Sequence, residues 1–138
     1  MPAKDIYHDT VKNGLIKEGW TITHDQLFIQ FDEVEMYIDL GAEKVLEAEK
    51  EGQKIAVEVK SFVEASLMSA FHFALGQFLD YRHALAGLEF AHTLYMAVPK
   101  DVYETFFMRR FIQSIISQFS VKLIVYDPKK EVIVKWLN

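Results

Sequence analysis

Three residues define the chemistry open to this chain: Asp39, Glu58 and Lys60. Glu58 and Lys60 stand one residue apart in the run Lys54-Ile55-Ala56-Val57-Glu58-Val59-Lys60-Ser61. There Ile55, Val57 and Val59 alternate with Lys54, Ala56, Glu58 and Lys60. A period of two predicts a half-buried strand, which points the carboxylate and the ammonium to one side as neighbours. A second run, residues 34–40, puts Val34, Met36, Ile38 and Leu40 on one side and Glu35, Tyr37 and Asp39 on the other. An acid on one strand followed by Glu-x-Lys on another is the skeleton of magnesium-dependent phosphodiester hydrolysis.

That reaction needs a metal to polarise the phosphate and lower the pKa of a water. Magnesium takes oxygen ligands and keeps several waters, so two carboxylates suffice. Asp39 and Glu58 would be the metal ligands, with the backbone carbonyl of Val59 as a third. Lys60 would position or help deprotonate the attacking water and screen phosphate charge. The bland origin of Glu-x-Lys is a surface strand carrying paired opposite charges. Two features favour the chemical reading. The upstream acid lies on a separate strand, and a long helical stretch after Lys60 carries Gln77 and Tyr81 four residues apart on one side. Those two could hold the water, the lysine or a phosphate oxygen.

The elements that must position these groups follow in order. Residues 5–18 predict a helix, with Ile6, Tyr7, Val11, Leu15 and Ile16 on its apolar face, Asp5 as N-cap and Gly19 as stop. His8 and Asp9 in its first turns read as solvent-facing. A strand over 26–31 turns at Asp32-Glu33 into the run 34–40, forming a hairpin. Residues 42–50 consist largely of good helix formers, yet Glu51-Gly52 before the next strand looks like a hairpin turn. If Lys50 pairs near Gln53, Val45 falls opposite Glu58 and Glu43 opposite Lys60. Glu43 is then the reserve for Asp39, whose strand alternation is cleaner.

Residues 66–85 predict the longest helix, buried through Leu67, Phe71, Ala74, Leu75, Phe78 and Leu79. His72 and His83 lack partners at ligand spacing. An apolar strand over 91–98 ends at Pro99, and a broken helix follows from Lys100-Asp101 through Met108-Arg109-Arg110 to Gln118. Residues 121–126 and 131–136 flank Asp127-Pro128-Lys129-Lys130 as a terminal hairpin. The order predicts an α/β sandwich around a mixed sheet, one domain over residues 1–138. Arg109-Arg110 and Lys129-Lys130 are candidate phosphate contacts, although such pairs are more often solvated surface.

Composition sets outer bounds. Of 138 residues, 51% are apolar, 25% charged and 14% aromatic, which is the balance of an ordered globular protein. No cysteine occurs, excluding disulfides, thiolate zinc sites and cysteine nucleophiles and fitting a reducing cytoplasm. No leader-like or membrane-spanning apolar run is present, so the expectation is a cytoplasmic protein away from membranes. A net charge of −5 argues against strong DNA binding through a broad basic face.

The chain also resembles the XisH family, the FdxN element excision controlling factors found chiefly in cyanobacteria. The resemblance runs nearly end to end. It is carried by Met1-Pro2-Ala3-Lys4-Asp5-Ile6-Tyr7-His8, Lys17-Glu18-Gly19-Trp20-Thr21-Ile22-Thr23-His24-Asp25 and Asp39-Leu40-Gly41-Ala42-Glu43-Lys44. Further blocks are Ala48-Glu49-Lys50, Ile55-Ala56-Val57-Glu58-Val59-Lys60-Ser61-Phe62, Ala74-Leu75-Gly76-Gln77-Phe78 and Tyr95-Met96-Ala97-Val98-Pro99. It implies a restriction-endonuclease-like fold of the PD-(D/E)xK type, with magnesium or manganese as cofactor and DNA as substrate of an endodeoxyribonuclease. It further implies a role in site-specific excision of a DNA element during heterocyst development, beside a XisI partner and a separate recombinase, and a homodimer. Asp39 matches the strand acid, Glu58 and Lys60 the Glu-x-Lys, and Gln77 and Tyr81 a Gln-x-x-x-Tyr of related nuclease groups. Ile38 stands where the name-giving motif has proline. A non-catalytic regulatory subunit acting through a XisI-like protein is the alternative, as is a defence nuclease with a neutralising partner.

Overall fold

The run around Glu58 becomes strand β5 (Gln53–Val59), and the rest of the molecule is layered on it. The structure, a computed structural model, describes residues 4–44 and 52–138. Residues 53–54 of β5 are exposed, but residues 55–59 are buried without interruption. The strand is therefore covered on both faces rather than half-buried, as befits an inner strand of a sheet with layers on both sides.

Chain order begins with α1 (His8–Lys17), then β1 (Thr21–His24), β2 (Leu27–Phe31), β3 (Val34–Ile38) and β4 (Leu40–Lys44). After β5 come α2 (Leu67–Gly87), β6 (Thr93–Pro99), α3 (Lys100–Glu104), a 3-10 turn (Phe106–Met108) and α4 (Arg110–Gln118). The terminal hairpin is β7 (Leu123–Asp127) and β8 (Val132–Leu137). One sheet runs in the order β1-β4-β5-β6-β7-β8, and β2 and β3 form a separate two-stranded sheet. β5, β6 and β7 are mutually parallel, while β1, β4 and β8 run antiparallel to their neighbours. This is the mixed sheet between helices that a restriction-endonuclease-like α/β sandwich predicts.

Strand alternation splits the core in two. Ile55, Val57, Val59, Leu40, Tyr95, Ala97 and Ile124 pack beneath Val11 and Leu15 of α1. On the other face Ala56, Leu94, Met96, Val98, Leu123 and Val125 pack against Phe71, Ala74 and Phe78 of α2, Ile112 of α4, and Ile29 and Ile38 of the small hairpin. α2 starts where the Ser66 hydroxyl accepts the Ser69 N–H at 3.2 Å, a side-chain N-cap. α1 comes close to β8 at Gly14, where an added Cβ would lie 3.2 Å from Ile133 Cδ1.

Three expectations are corrected. Residues 34–40 are not one strand: β3 ends at Ile38, Asp39 is a bend, and β4 starts at Leu40 in the other sheet. Ile38 and Leu40 consequently enter different cores, although their spacing puts them on one face of a continuous strand. The β4–β5 register pairs Leu40 with Val57, Glu43 with Lys54 and Lys44 with Gln53, six residues away from the expected offset. The parts of that expectation concerning Val45, Lys50 and Glu51 lie outside the described residues. Asp5 does not cap α1, which begins at His8. One Asp5 carboxylate oxygen instead accepts the Tyr7 N–H at 2.9 Å and the other the Ser61 N–H at 3.1 Å.

Candidate active site

The same register builds the site. One step beyond the Leu40–Val57 pair, Asp39 and Glu58 meet across the β4–β5 boundary. Each carboxylate is held by the other residue's neighbourhood. The Val59 N–H donates to Asp39 Oδ2 at 2.7 Å, and the Asp39 N–H donates to Glu58 Oε1 at 3.3 Å. Both residues are buried, at 8% exposure for Asp39 and 6% for Glu58. Glu43, paired with Lys54 four positions along β4, is carried away from this meeting point.

Lys60 sits just past the end of β5, its backbone N–H bonded to Ala97 O at 2.9 Å. The phenol of Tyr126 donates to the Lys60 carbonyl at 2.8 Å, fixing the strand end from the β7 side. The Lys60 ammonium lies 3.4 Å from Glu58 Oε2 and donates to Gln77 Oε1. Gln77 Nε2 in turn donates to Tyr81 Oη at 3.2 Å. The lysine fixes the sense of the amide: an ammonium only donates, so the oxygen end must face it, and the Nε2 end is left for the Tyr81 hydroxyl to accept. Phe73, 65% exposed one helical turn earlier, lays its ring 5.1 Å from the same ammonium.

A cleft of about 230 Å³ opens onto these groups, lined by Asp39, Glu58, Val59, Lys60, Gln77 and Tyr81, with Phe73 and Tyr37 at its walls. All five side chains singled out from the sequence therefore share one space. A larger concavity, about 570 Å³, lies at the carboxyl ends of β6 and β7 between Phe62, Lys100 and Lys129. It holds neither acid of the pair, and the chemistry is in the smaller cleft.

Electrostatics show what the fold has forced together. Burial, then the neighbouring Asp39 charge, pushes Glu58 up to about 8, against the opposing pull of Lys60. Burial raises Asp39 as well, partly offset by its bond from the Val59 N–H. Burial raises the Tyr81 phenol, and the two nearby carboxylates add to it, so Tyr81 is a neutral hydrogen-bonding group. Two close carboxylates in a buried place resist being charged together, and a cation between them would relieve that directly. Among the described residues no three His, Asp or Glu side chains gather as a cation cage, so a metal here would rest on two carboxylates. Oxygen donors and room for waters fit a hard divalent ion such as magnesium or manganese.

One residue that reads from the sequence as solvent-facing is central here. His8 is 1% exposed, its Nε2 2.7 Å from Asp25 Oδ1 and its Nδ1 3.8 Å from Asp39 Oδ1. A signal for its burial was available, since position 8 shares a helical stripe with Val11 and Leu15. Asp5 and Tyr37, also in the cleft wall, carry no comparable pattern. His72 and His83, which lack partners at ligand spacing, are exposed. Arg109 rests on the Phe106 ring, 5.2 Å away, and the Lys129 and Lys130 N–H groups bond Asp127. No helix among the described residues is long and apolar enough to cross a membrane.

The XisH protein family model matches residues 1–134. Among solved structures, the chain is similar to an FdxN element excision controlling factor protein from Anabaena variabilis. That likeness has 46% identity and a TM-score of 0.87, covering 98% of this chain and 100% of that one. It is also similar to an XisH family protein from Nostoc punctiforme, at 44% identity and a TM-score of 0.87, covering 97% of this chain and 100% of that one. No curated protein matches the chain.

Proposed function

The chain belongs to the XisH family, and from that membership we propose that it is an excision controlling factor whose cleft is a divalent-cation phosphodiesterase site acting on DNA. The observation that supports this reading is the meeting of Asp39 and Glu58 across two strands with the Lys60 ammonium 3.4 Å from Glu58. Burying two carboxylates against each other costs stability, and a structural role has no use for that cost.

Asp39 and Glu58 would hold magnesium or manganese, with the backbone carbonyl of Val59, a residue lining the same cleft, as a third ligand. A cation bound there neutralises phosphate charge and makes a bound water more acidic. Lys60, aimed by Gln77 Oε1, meets the developing charge on the phosphate oxygens and orients the attacking water. Gln77 is the positioning residue for that amine, and Tyr81 anchors the other end of its amide. DNA enters as the substrate, and a homodimer would place two such clefts on two strands.

The test is a nicking assay on linear and branched DNA with magnesium or manganese. Activity should disappear with Glu58→Ala and Asp39→Ala, which remove ligands. It should fall by about two orders of magnitude or more with Lys60→Ala, given what one positioned charge contributes to such a transition state. Absence of metal-dependent nicking on every substrate would sink the enzyme. A second reading then takes over, a non-catalytic subunit bound to a XisI-like protein. Its support is the net charge of −5 together with exposed Phe28, Phe73 and Phe111. It expects a stable complex with that partner and no cleavage under any metal.

A further inference from the structure

Among the buried polar and charged side chains of the described residues, His8, Asp39, Glu58 and Ser61, His8 is the most buried, and this mechanism leaves it unused. Its imidazole is clamped from one side. Nε2 lies 2.7 Å from Asp25 Oδ1, and Lys12 Nζ lies 2.8 Å from Asp25 Oδ2. Burial works against the charge on Asp25, but the Lys12 and His8 hydrogen bonds outweigh it and hold that carboxyl below its usual range. Asp25 is therefore a committed carboxylate, and the ring cannot turn without breaking a short bond to it. On the other side Nδ1 is buried with no hydrogen-bond partner, and the nearest acidic oxygen is Asp39 Oδ1 at 3.8 Å. That separation is too long for a hydrogen bond and too short for the two groups to ignore one another. A buried ring nitrogen left without a partner is costly, so its retention in this place calls for a role.

His8 does not line the cleft, whereas Asp39 does. The ring therefore stands behind the acid rather than in front of it. We propose that His8 is a positioning residue for Asp39: the Lys12–Asp25 pair locks the imidazole with Nε2 as donor, and the wall the ring presents at its Nδ1 edge limits which way the Asp39 carboxylate can turn. With Oδ1 confined by the ring, Oδ2 stays on the Val59 N–H, and the lone pairs left over point into the cleft. Outer groups of this kind set the affinity of a carboxylate site for its cation. The part of the inference that concerns cation affinity rests on the reading proposed above, whereas the part that concerns carboxylate orientation does not.

Two substitutions separate the two ends of the ring. In His8→Gln the amide can reach Asp25 in place of Nε2 but puts nothing at Nδ1. In His8→Asn the amide occupies the place of Nδ1 and gives up Asp25. The first readout is made on metal-free protein: the proton resonance and hydrogen exchange of the Val59 amide, which is bonded to Asp39 Oδ2. In His8→Gln this amide should shift and exchange faster while those of Ile55 and Val57 stay as they are, and His8→Asn should restore it in part. The second readout is manganese affinity by calorimetry, expected to weaken about 10-fold or more in His8→Gln and less in His8→Asn. An unmoved Val59 amide in His8→Gln overturns the proposal whatever the metal does. A moved amide in a protein whose wild type binds no manganese upholds the positioning role and removes the cation site instead. A uniform loss of amide protection across β5 in both variants would show a merely structural histidine and overturns it too.

Discussion

Glu58 sets the pH behaviour of the molecule. Its carboxyl is pushed up to about 8 from an ordinary 4.5, so between those values the folded chain keeps a proton that the unfolded chain has released. Stability from this group is full below the lower value and is lost as pH rises through the upper one, with a slope of at most about 1.4 kcal/mol per pH unit. The melting temperature should thus fall between about pH 5 and about pH 8. Glu58→Gln should flatten that fall and melt higher than the parent at the alkaline end. Added magnesium should recover more stability at the alkaline end than at the acidic one, where the proton competes with it. A melting curve of Glu58→Gln that tracks the parent at both ends would mean the carboxyl is not confined as described. Tyr81→Phe acts more gently: it leaves Gln77 Nε2 without its acceptor, so the amide that aims Lys60 is held from one end only. A drop in nicking rate of about 10-fold with little change in melting temperature is expected.

Elements explain why Glu58 and Lys60 were legible and their surroundings less so. Alternation over residues 54–60 carries strand, face and the Glu-x-Lys neighbourhood together, because all of it is local. The register of the facing strand is not local. It depends on the connection between β4 and β5, and the Glu51-Gly52 turn signal placed that connection on the pairing of Lys50 near Gln53, whereas Gln53 pairs with Lys44, six positions from the expected offset. The break at Asp39 was hidden for a related reason. Val34, Met36, Ile38 and Leu40 keep strict alternation straight through a change of sheet, since either core accepts an apolar side chain. His8 was misjudged on residue type when its stripe with Val11 and Leu15 held the information. Helix placement carries its own prediction at Gly14, where α1 lies against Ile133. Gly14→Leu should lower stability by about 1–3 kcal/mol through overpacking, measured by urea unfolding, despite leucine's better helix propensity. Because the displaced helix also bears His8, manganese affinity should weaken in the same variant.

Across the whole molecule, the larger core is aromatic and shared among three layers. Phe71 is fully buried with its ring 5.9 Å from Phe106 and 5.8 Å from Phe107, tying α2 to the turn between α3 and α4. Phe71→Ala should cost about 3–5 kcal/mol in equilibrium unfolding, since rings from separate elements cannot collapse into the space it leaves. A cost under about 1 kcal/mol would mean that the layers repack freely. Phe residues at helical spacing are more often core than interface, and in the structure they divide between core and surface. Phe62, Phe71, Phe78, Phe106 and Phe107 are buried, while Phe28, Phe73, Phe111 and Phe119 remain outside. Asp39, meanwhile, is the single residue between the last position of one sheet and the first of the other. The acid is thus a pivot: the small hairpin cannot rock as a body without twisting the peptide that carries it. Whatever grips the outer edge of that hairpin has a lever on the carboxylate.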